Sequence, residues 1–197
     1  KINSIFGNNP DTEGPKLLKA NALNDSTVLL TFNEIIDSVS AVFASYSIDN
    51  GITIASKKID RKTIVLNLLN KLQIQTTYTV LVSGLTDCIG NSIGTQNKAQ
   101  FALPEQANPL DVVINEVLFN PRTGGSDFVE VYNHSQKNIN LQNWKLANYD
   151  NQTFSNLKTI SDTPYLLKPG EYLVLTKDTI NITVEYPNTK PGRFIQM

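Results

Sequence analysis

Apolar and polar residues alternate over short stretches in the first half of the chain, which is the period of β-strands with one buried face. In residues 26–32, for example, Val28, Leu30 and Phe32 share one side. Asn50-Gly51 marks a hairpin turn, because both residues tolerate positive φ. Strands are predicted at residues 16–23, 26–32, 46–48, 52–59, 63–68, 77–82 and 99–103. Seven short strands at this spacing predict a Greek-key β-sandwich.

The strand pattern resumes in the second half of the chain. Strands are predicted at residues 112–119, 128–132, 139–146 and 172–176. Residues 178–185 fit two alternatives, a short helix with Asp178 as its N-cap or a strand in which Ile180, Ile182 and Val184 alternate. No other helical pattern of convincing length occurs, so the fold class predicted from the sequence is all-β.

A polar stretch between Pro104 and Pro109 separates the two halves. Proline donates no backbone hydrogen bond and fixes φ, so a sheet is not expected to run through this stretch. The predicted organisation is an N-terminal extension (1–14), a first sandwich (15–104), a short linker that contains proline (105–110) and a second sandwich (111–197). The length of 197 residues suits two such domains.

Composition narrows the classes of function. Hydrophobic residues make up 40% of the chain, so each half can bury a core. The net charge is −1, and the lysines and arginines form only small groups. The sequence therefore lacks the basic patch expected of a nucleic-acid-binding protein. No apolar stretch is long enough for a membrane span. The single cysteine, Cys88, forms no intrachain disulfide and is predicted to be buried.

Several motifs of the first half occur in a familiar order. They are a Pro-x-Leu opening at Pro15, a Ser-Thr-Val-x-x-x-Phe strand ending at Phe32, the run NEIID at 33–37 and the run GLTDCIGN at 84–91. This half resembles a bacterial Ig-like domain of the type first described in S-layer proteins. Leu72 and Tyr78 have the spacing of a tyrosine corner, so the Tyr78 hydroxyl is predicted to bond to the backbone a few residues upstream.

The second half carries a different set of motifs. They are VINEV at 113–117, DFVEVYN at 127–133, INLQNWKL at 139–146 and LKPGEYLVL at 167–175. This half resembles a lamin-tail domain. The resemblance implies further strands after Met197, so this sandwich is expected to be incomplete at its C-terminus. Together the two resemblances imply two tandem immunoglobulin-like β-sandwiches from an exported protein.

Catalytic and metal chemistry have little support in the residues. His134 is the only histidine and is predicted to be solvated in a polar turn, without a Gly-x-Ser-x-Gly elbow elsewhere. We therefore predict no enzyme activity and no catalytic or cofactor-binding residues. Calcium is the one metal considered, with Glu116, Asp127 and Glu130 as candidate ligands. The alternative is that Asn115, Glu116 and Glu130 form hydrogen bonds that tie loops to strand ends.

Aromatic residues offer the main route to a binding function. Tyr149, Phe154 and Tyr165 fall in loop-like stretches and are the candidate ligand contacts, whereas Trp144 is predicted to be core. A protein or glycan surface is the expected partner, rather than nucleic acid or a membrane, together with other domains of the same polypeptide.

The function expected from the sequence is a non-catalytic structural and binding module, a spacer followed by an adhesive domain. The alternative is an accessory region of an exported enzyme, such as a nuclease or phosphatase, whose catalytic domain lies outside these residues. The expected location is extracellular, at the cell surface or periplasmic, in a Gram-negative bacterium.

Overall fold

The computed structural model describes residues 11–190 and 192–197. The chain divides into two compact units, a first unit up to Leu103 and a second unit from Pro104. Its regular elements in the described residues are fifteen strands and two short helices, which confirms the predicted all-β class.

The first unit is a sandwich of two antiparallel sheets. Its strands are β1 (Leu17–Asn24), β2 (Thr27–Phe32), β3 (Ser45–Ile48), β4 (Ile54–Asp60), β5 (Thr63–Leu68), β6 (Thr77–Ser83) and β7 (Lys98–Ala102). One sheet has the order β1-β2-β5-β4 and the other the order β3-β6-β7. Val28, Leu30 and Phe32 are buried between them, as the alternation predicts.

A tyrosine corner fixes one edge of this core. The Tyr78 hydroxyl accepts a hydrogen bond from the Gln73 backbone N–H at 2.8 Å, which confirms the prediction. The Tyr78 ring is buried and stacks on Phe101, with the ring centroids 5.5 Å apart. The corner therefore joins the loop before β6 to the interior of the sandwich.

Two features of this unit differ from the sequence predictions: it contains a helix, and Cys88 is exposed. Helix α1 (Ser38–Phe43) is only six residues long and buries Ala41 alone, so it has no apolar periodicity to detect. The sequence feature that indicates this helix is its N-cap, Asp37, whose carboxylate accepts a hydrogen bond from the Ser40 N–H at 2.6 Å. Cys88 is exposed, so its predicted burial is wrong. It lies in a turn in which Leu85 and Asp87 take the buried positions.

The second unit contains one larger sheet and two strand pairs. Its strands are β8 (Val112–Leu118), β9 (Phe128–Asn133), β10 (Ile139–Asn140), β11 (Lys145–Asp150), β12 (Thr153–Thr159), β13 (Leu166–Leu167), β14 (Tyr172–Thr176) and β15 (Phe194–Gln196). The larger sheet has the order β15-β14-β9-β8, and β10 pairs with β13 and β11 with β12. The β14–β15 pair is parallel and the other pairs are antiparallel.

The core of the second unit is smaller than that of the first. It consists of buried side chains from the larger sheet and from the opposing segments, namely Val131, Ile139, Leu141, Ile160, Leu167, Leu173 and Leu175. Trp144 is partly buried against this cluster, in keeping with its predicted place in the core. Because it is the only tryptophan, its fluorescence reports on the second unit.

The chain between residues 139 and 146 was predicted as one strand, but it forms two. A turn at Asn143, whose φ is 63°, separates β10 from β11, and the Trp144 N–H donates to the Leu141 carbonyl. For residues 178–185 the helix alternative is correct, because α2 (Thr179–Glu185) begins after Asp178, whose carboxylate accepts from the Asn181 N–H at 2.9 Å. Ile182 is buried, while Ile180 and Val184 face solvent.

Candidate functional site

The β11–β12 hairpin presents apolar side chains to solvent. Tyr149 and Phe154 face each other across the two strands, with ring centroids 4.9 Å apart and 64% and 65% of each residue exposed. We call these two residues the aromatic pair. Leu157, also exposed, follows on the same hairpin. Every residue of β12 is exposed, so this strand packs its side chains on no core.

The geometry of the turn places the aromatic pair directly opposite each other. Asp150 pairs with Thr153, and the two residues between them, Asn151 and Gln152, have φ of 47° and 61°. Two consecutive positive φ values define a type I′ turn, whose twist matches that of the flanking strands. Asn tolerates this backbone conformation, but Gln takes the position at which Gly is preferred.

Replacing Gln152 with glycine is therefore expected to stabilise the second unit by about 1 kcal/mol, because the strained φ is relieved. Urea denaturation followed by Trp144 fluorescence measures the change. Thr153→Gly is the matched control and should destabilise, since glycine weakens a strand position. Equal losses of stability in both variants would contradict the turn assignment.

Tyr165, the third candidate ligand contact, has a different environment. It is partly buried against the core of the second unit, and its hydroxyl donates to the Gly192 carbonyl at 3.3 Å. Burial raises the pKa of this hydroxyl above its usual value. Tyr165 therefore packs against the core, while the aromatic pair is free to contact a partner.

The three candidate calcium ligands do not form one cluster of carboxylates. Glu116 and Glu130 are register partners on β8 and β9, and Glu130 accepts from the Asn115 side-chain amide at 2.8 Å. Asp127 lies just before β9, and its backbone carbonyl accepts from the Thr176 hydroxyl. The observed hydrogen bonds of Asn115 and Asp127 link neighbouring strands and loop ends.

A different set of carboxylates does come together, in the first unit. Asp11, Glu34 and Asp87 have carboxylate oxygens within 4.8 Å of one another. The Asp87 carboxylate is already bonded to the backbone N–H groups of Ile89 and Asn91 and to the Asn91 side chain. Burial alone raises the pKa of Asp87, but these hydrogen bonds outweigh it and hold the pKa below its usual value.

An apolar groove lies at the ends of β8, β9 and β14 in the second unit. It has a volume of about 230 Å³, and we call it the β8 groove. Its apolar lining comes from β8 and the residue after it (Val117 and Phe119), from the hairpin (Leu146) and from two other segments (Leu175 and Met197). Asp127, Lys158 and Lys177 are its charged residues. Sequence reasoning missed this groove, because an apolar run such as 112–119 predicts a buried strand.

His134, as predicted, is exposed after β9, with its ring centroid 6.1 Å from that of Tyr132 in an edge-to-face arrangement. No helix in the described part of the chain has the length and apolar character needed to cross a membrane.

Two β-sandwich units, each around its own core, place the chain in the class of tandem immunoglobulin-like modules. Comparison with family models is more specific. Residues 12–102 match the bacterial Ig-like domain and residues 105–192 match the lamin tail domain. The chain therefore consists of a bacterial Ig-like domain followed by a lamin tail domain, and both resemblances found in the sequence are confirmed. Domains of these two kinds are structural modules.

Comparison with solved structures returns bacterial surface-layer proteins. The crystal structure of the N-terminal part of the bacterial S-layer protein SbsC has 16% sequence identity and a TM-score of 0.42, and the match covers 80% of this chain and 44% of that one. A crystal structure of the S-layer protein rSbsC has 14% identity and a TM-score of 0.41, with 83% of this chain and 32% of that one covered. The chain thus spans less than half the length of these structures. No curated protein matches the chain.

Proposed function

We propose that this chain is a non-catalytic structural and contact module of an exported or surface-located bacterial protein, with the first unit as a spacer. The second unit contacts a protein or glycan partner through the aromatic pair. A Gram-negative source and adhesion at the cell surface belong to the same proposal. The observation that carries it is the aromatic pair. Its two rings are exposed side by side, and the strand that holds Phe154, β12, is exposed along its whole length.

Physical chemistry supports a contact role for this hairpin. Tyrosine and phenylalanine bury large apolar areas at a small cost in side-chain entropy, so they are frequent anchors of interfaces. The two rings already touch each other, which reduces the ordering that binding requires. Lys145 and Lys158 on the same hairpin are exposed and add a polar rim.

A binding screen tests the proposal. The whole chain is screened against glycans, matrix proteins and double-stranded DNA, and a saturable partner is expected in one of the first two classes. Because anchor residues at interfaces typically contribute 2 kcal/mol or more, Tyr149→Ser with Phe154→Ser should weaken that binding by roughly 30-fold or more.

The matched control is Phe43→Ser, which removes an even more exposed aromatic ring from α1 of the first unit. It should leave the affinity unchanged. Absence of binding to all three classes, or equal losses in the control and the double variant, would refute a contact role for the aromatic pair and leave only the spacer role.

A further inference from the structure

The larger sheet of the second unit has an outer face, which points away from the core and carries a pocket. Leu173 and Leu175 belong to the core, and successive side chains of a strand point to opposite faces, so Tyr172 and Val174 lie on the outer face. A pocket of about 240 Å³ lies here, and we call it the outer pocket. The lining side chains that could meet a ligand are those of Glu130, Tyr172, Val174, Thr189, Lys190 and Phe194.

The ring of Tyr172 is covered on one face only. Tyr172 is the register partner of Tyr132, and the two rings stack with their centroids 4.4 Å apart. On the other side of β14, Val174 pairs with Phe194 in the parallel register with β15. Two residues before each of these, Gly192 lies beside Tyr172 and brings no side chain, and a Cβ placed on Gly192 would meet none of the described atoms within 4 Å. Tyr172 is 44% exposed, so its ring is a supported apolar platform that a ligand can reach.

The strand that forms the floor of the outer pocket has partners on both sides. β14 pairs with β9 along one side and with β15 along the other. Its backbone N–H and C=O groups are therefore engaged in the two ladders, and a ligand in the outer pocket must be recognised by side chains. An extended peptide binds a sheet through free backbone groups of an edge, so this floor does not favour the addition of a strand.

Polar side chains surround the platform. Glu130 lines the pocket from β9, and one of its carboxylate oxygens accepts from the Asn115 side-chain amide at 2.8 Å. This hydrogen bond holds the carboxylate in place, while its remaining lone pairs can accept from a ligand. Thr189 and Lys190 line the pocket from the segment before β15 and add a hydroxyl group and an ammonium group. The pocket therefore offers both donors and acceptors around an apolar platform.

Charge and size narrow the class of ligand. Glu130 and Lys190 carry opposite charges, and Glu171 and Arg193, which also line the pocket, form an ion pair with each other. The outer pocket thus has no excess of either sign, which favours an uncharged ligand over a phosphate or a cation. Its volume of about 240 Å³ is below the roughly 300–1,000 Å³ of pockets for drug-sized molecules, so it suits a group of about one ring.

We propose that the outer pocket binds one neutral pyranose unit of a glycan, stacked on the ring of Tyr172. A pyranose has an apolar face of C–H groups and a rim of hydroxyl groups, each of which both donates and accepts. The apolar face meets Tyr172, and the hydroxyl groups bond to Glu130 on one side and to Thr189 and Lys190 on the other. This site is distinct from the aromatic pair, so the proposal holds or fails independently of the contact role given to that pair.

Saturation-transfer NMR on the whole chain tests the proposal, with the methyl glycosides of glucose, galactose and mannose as separate probes. Saturation of the aromatic protons of the protein should reach the C–H protons on one face of the bound sugar ring. Titration of at least one glycoside should be saturable, with a Kd of about 1–10 mM, as expected of a small ligand with few contacts. The dipeptide Ala-Leu, a zwitterion that could pair with Glu130 and Lys190, should bind about tenfold more weakly or not at all.

Variants of the protein locate the site. Tyr172→Ala should weaken binding about tenfold or more, because the platform is lost, whereas Tyr172→Phe keeps the ring and should change the Kd less than about twofold. Glu130→Gln should weaken binding about threefold, since a neutral amide accepts less strongly than a carboxylate. Phe119→Ser is the matched control, because it removes an exposed ring of the same unit outside the outer pocket, and it should leave the Kd unchanged. Trp144 fluorescence during urea denaturation verifies that the variants are folded.

Three results would overturn the proposal. One is the absence of saturable binding of all three glycosides up to about 100 mM, ten times the weakest Kd expected. Another is an unchanged Kd in Tyr172→Ala, or in Glu130→Gln if the alanine variant does not fold, which would place the sugar elsewhere. The third is tighter binding of Ala-Leu than of the glycosides, which would make a peptide terminus the ligand. Failure of the binding screen for the aromatic pair would affect none of these results.

Discussion

Replacing Asn133 with alanine is expected to destabilise the second unit by roughly 3 kcal/mol, because several buried polar groups lose their partners together. Asn133 is fully buried at the end of β9. Its amide donates to the Lys137 carbonyl at 2.7 Å and to the Leu167 carbonyl at 2.9 Å. Its side-chain oxygen accepts from the Ser135 hydroxyl and backbone N–H. One side chain thus joins β9, the following turn and β13.

Urea denaturation followed by Trp144 fluorescence measures this loss. Ser135→Ala is the matched control. It removes, at a partly buried position, the hydroxyl that donates to Asn133 and accepts from the Lys137 N–H, and it should cost about 1–2 kcal/mol. Asn133→Asp keeps the shape but sets a carboxylate against two carbonyl oxygens, so it should destabilise at least as much as alanine. A smaller loss for Asn133→Ala than for Ser135→Ala would contradict the role assigned to Asn133.

Replacing Tyr78 with alanine is expected to destabilise the first unit by about 4 kcal/mol, because a large buried ring leaves a cavity. The Tyr78 ring is buried and stacks on Phe101. Tyr78→Phe keeps the ring and removes only the acceptor of the Gln73 N–H, so it should cost about 1–2 kcal/mol. The pair of variants separates packing from the hydrogen bond of the tyrosine corner.

Calorimetry gives the loss of stability, and hydrogen exchange over residues 77–83 assigns it to the first unit. Tyr46→Phe serves as the control, because the Tyr46 hydroxyl also bonds to the backbone, donating to Ala41 at 2.9 Å, but the ring is only partly buried. It should cost less than about 1 kcal/mol. If Tyr78→Phe and Tyr78→Ala destabilise equally, the hydrogen bond rather than the ring dominates at this position.

Strand β5 was predictable from the sequence and strand β12 was not, because only β5 has a buried face. In β5 the alternation of Ile64, Leu66 and Leu68 records the burial of one face, and residues 63–68 were predicted with the observed bounds. In β12 all seven residues are exposed, so no alternation exists. β12 is held by its pairing with β11 and the type I′ turn, and a turn with Gln152 in place of glycine is a weak signal.

The candidate site was predictable only in part for a related reason. The sequence placed Tyr149, Phe154 and Tyr165 in loop-like stretches, which is wrong for Tyr149 on β11 and Phe154 on β12. It also did not show which of the three rings face solvent. Exposure depends on partners distant in sequence, and Tyr165 is covered by the core while the aromatic pair is not. The β8 groove was beyond sequence reasoning, because the run at 112–119 has the same pattern whether or not another strand covers it.

The direction of β15 determines how the second unit bears a mechanical load. β8 runs opposite to β9, β9 opposite to β14, and β14 in the same direction as β15, so the first and last strands of the sheet point the same way. Tension applied between β8 and β15 therefore shears the ladders along the strands, and the hydrogen bonds of each pair share the force instead of opening one by one.

The ladders along this path differ in strength. β8 and β9 pair over most of their length, but β14 and β15 share only three residue pairs. The bidentate ion pair of Arg193 with Glu171 reinforces the short ladder at the start of both strands. Under a load that enters the sheet through β15, this three-pair ladder is the first to break, and the removal of Ile195 then uncovers one side of the core.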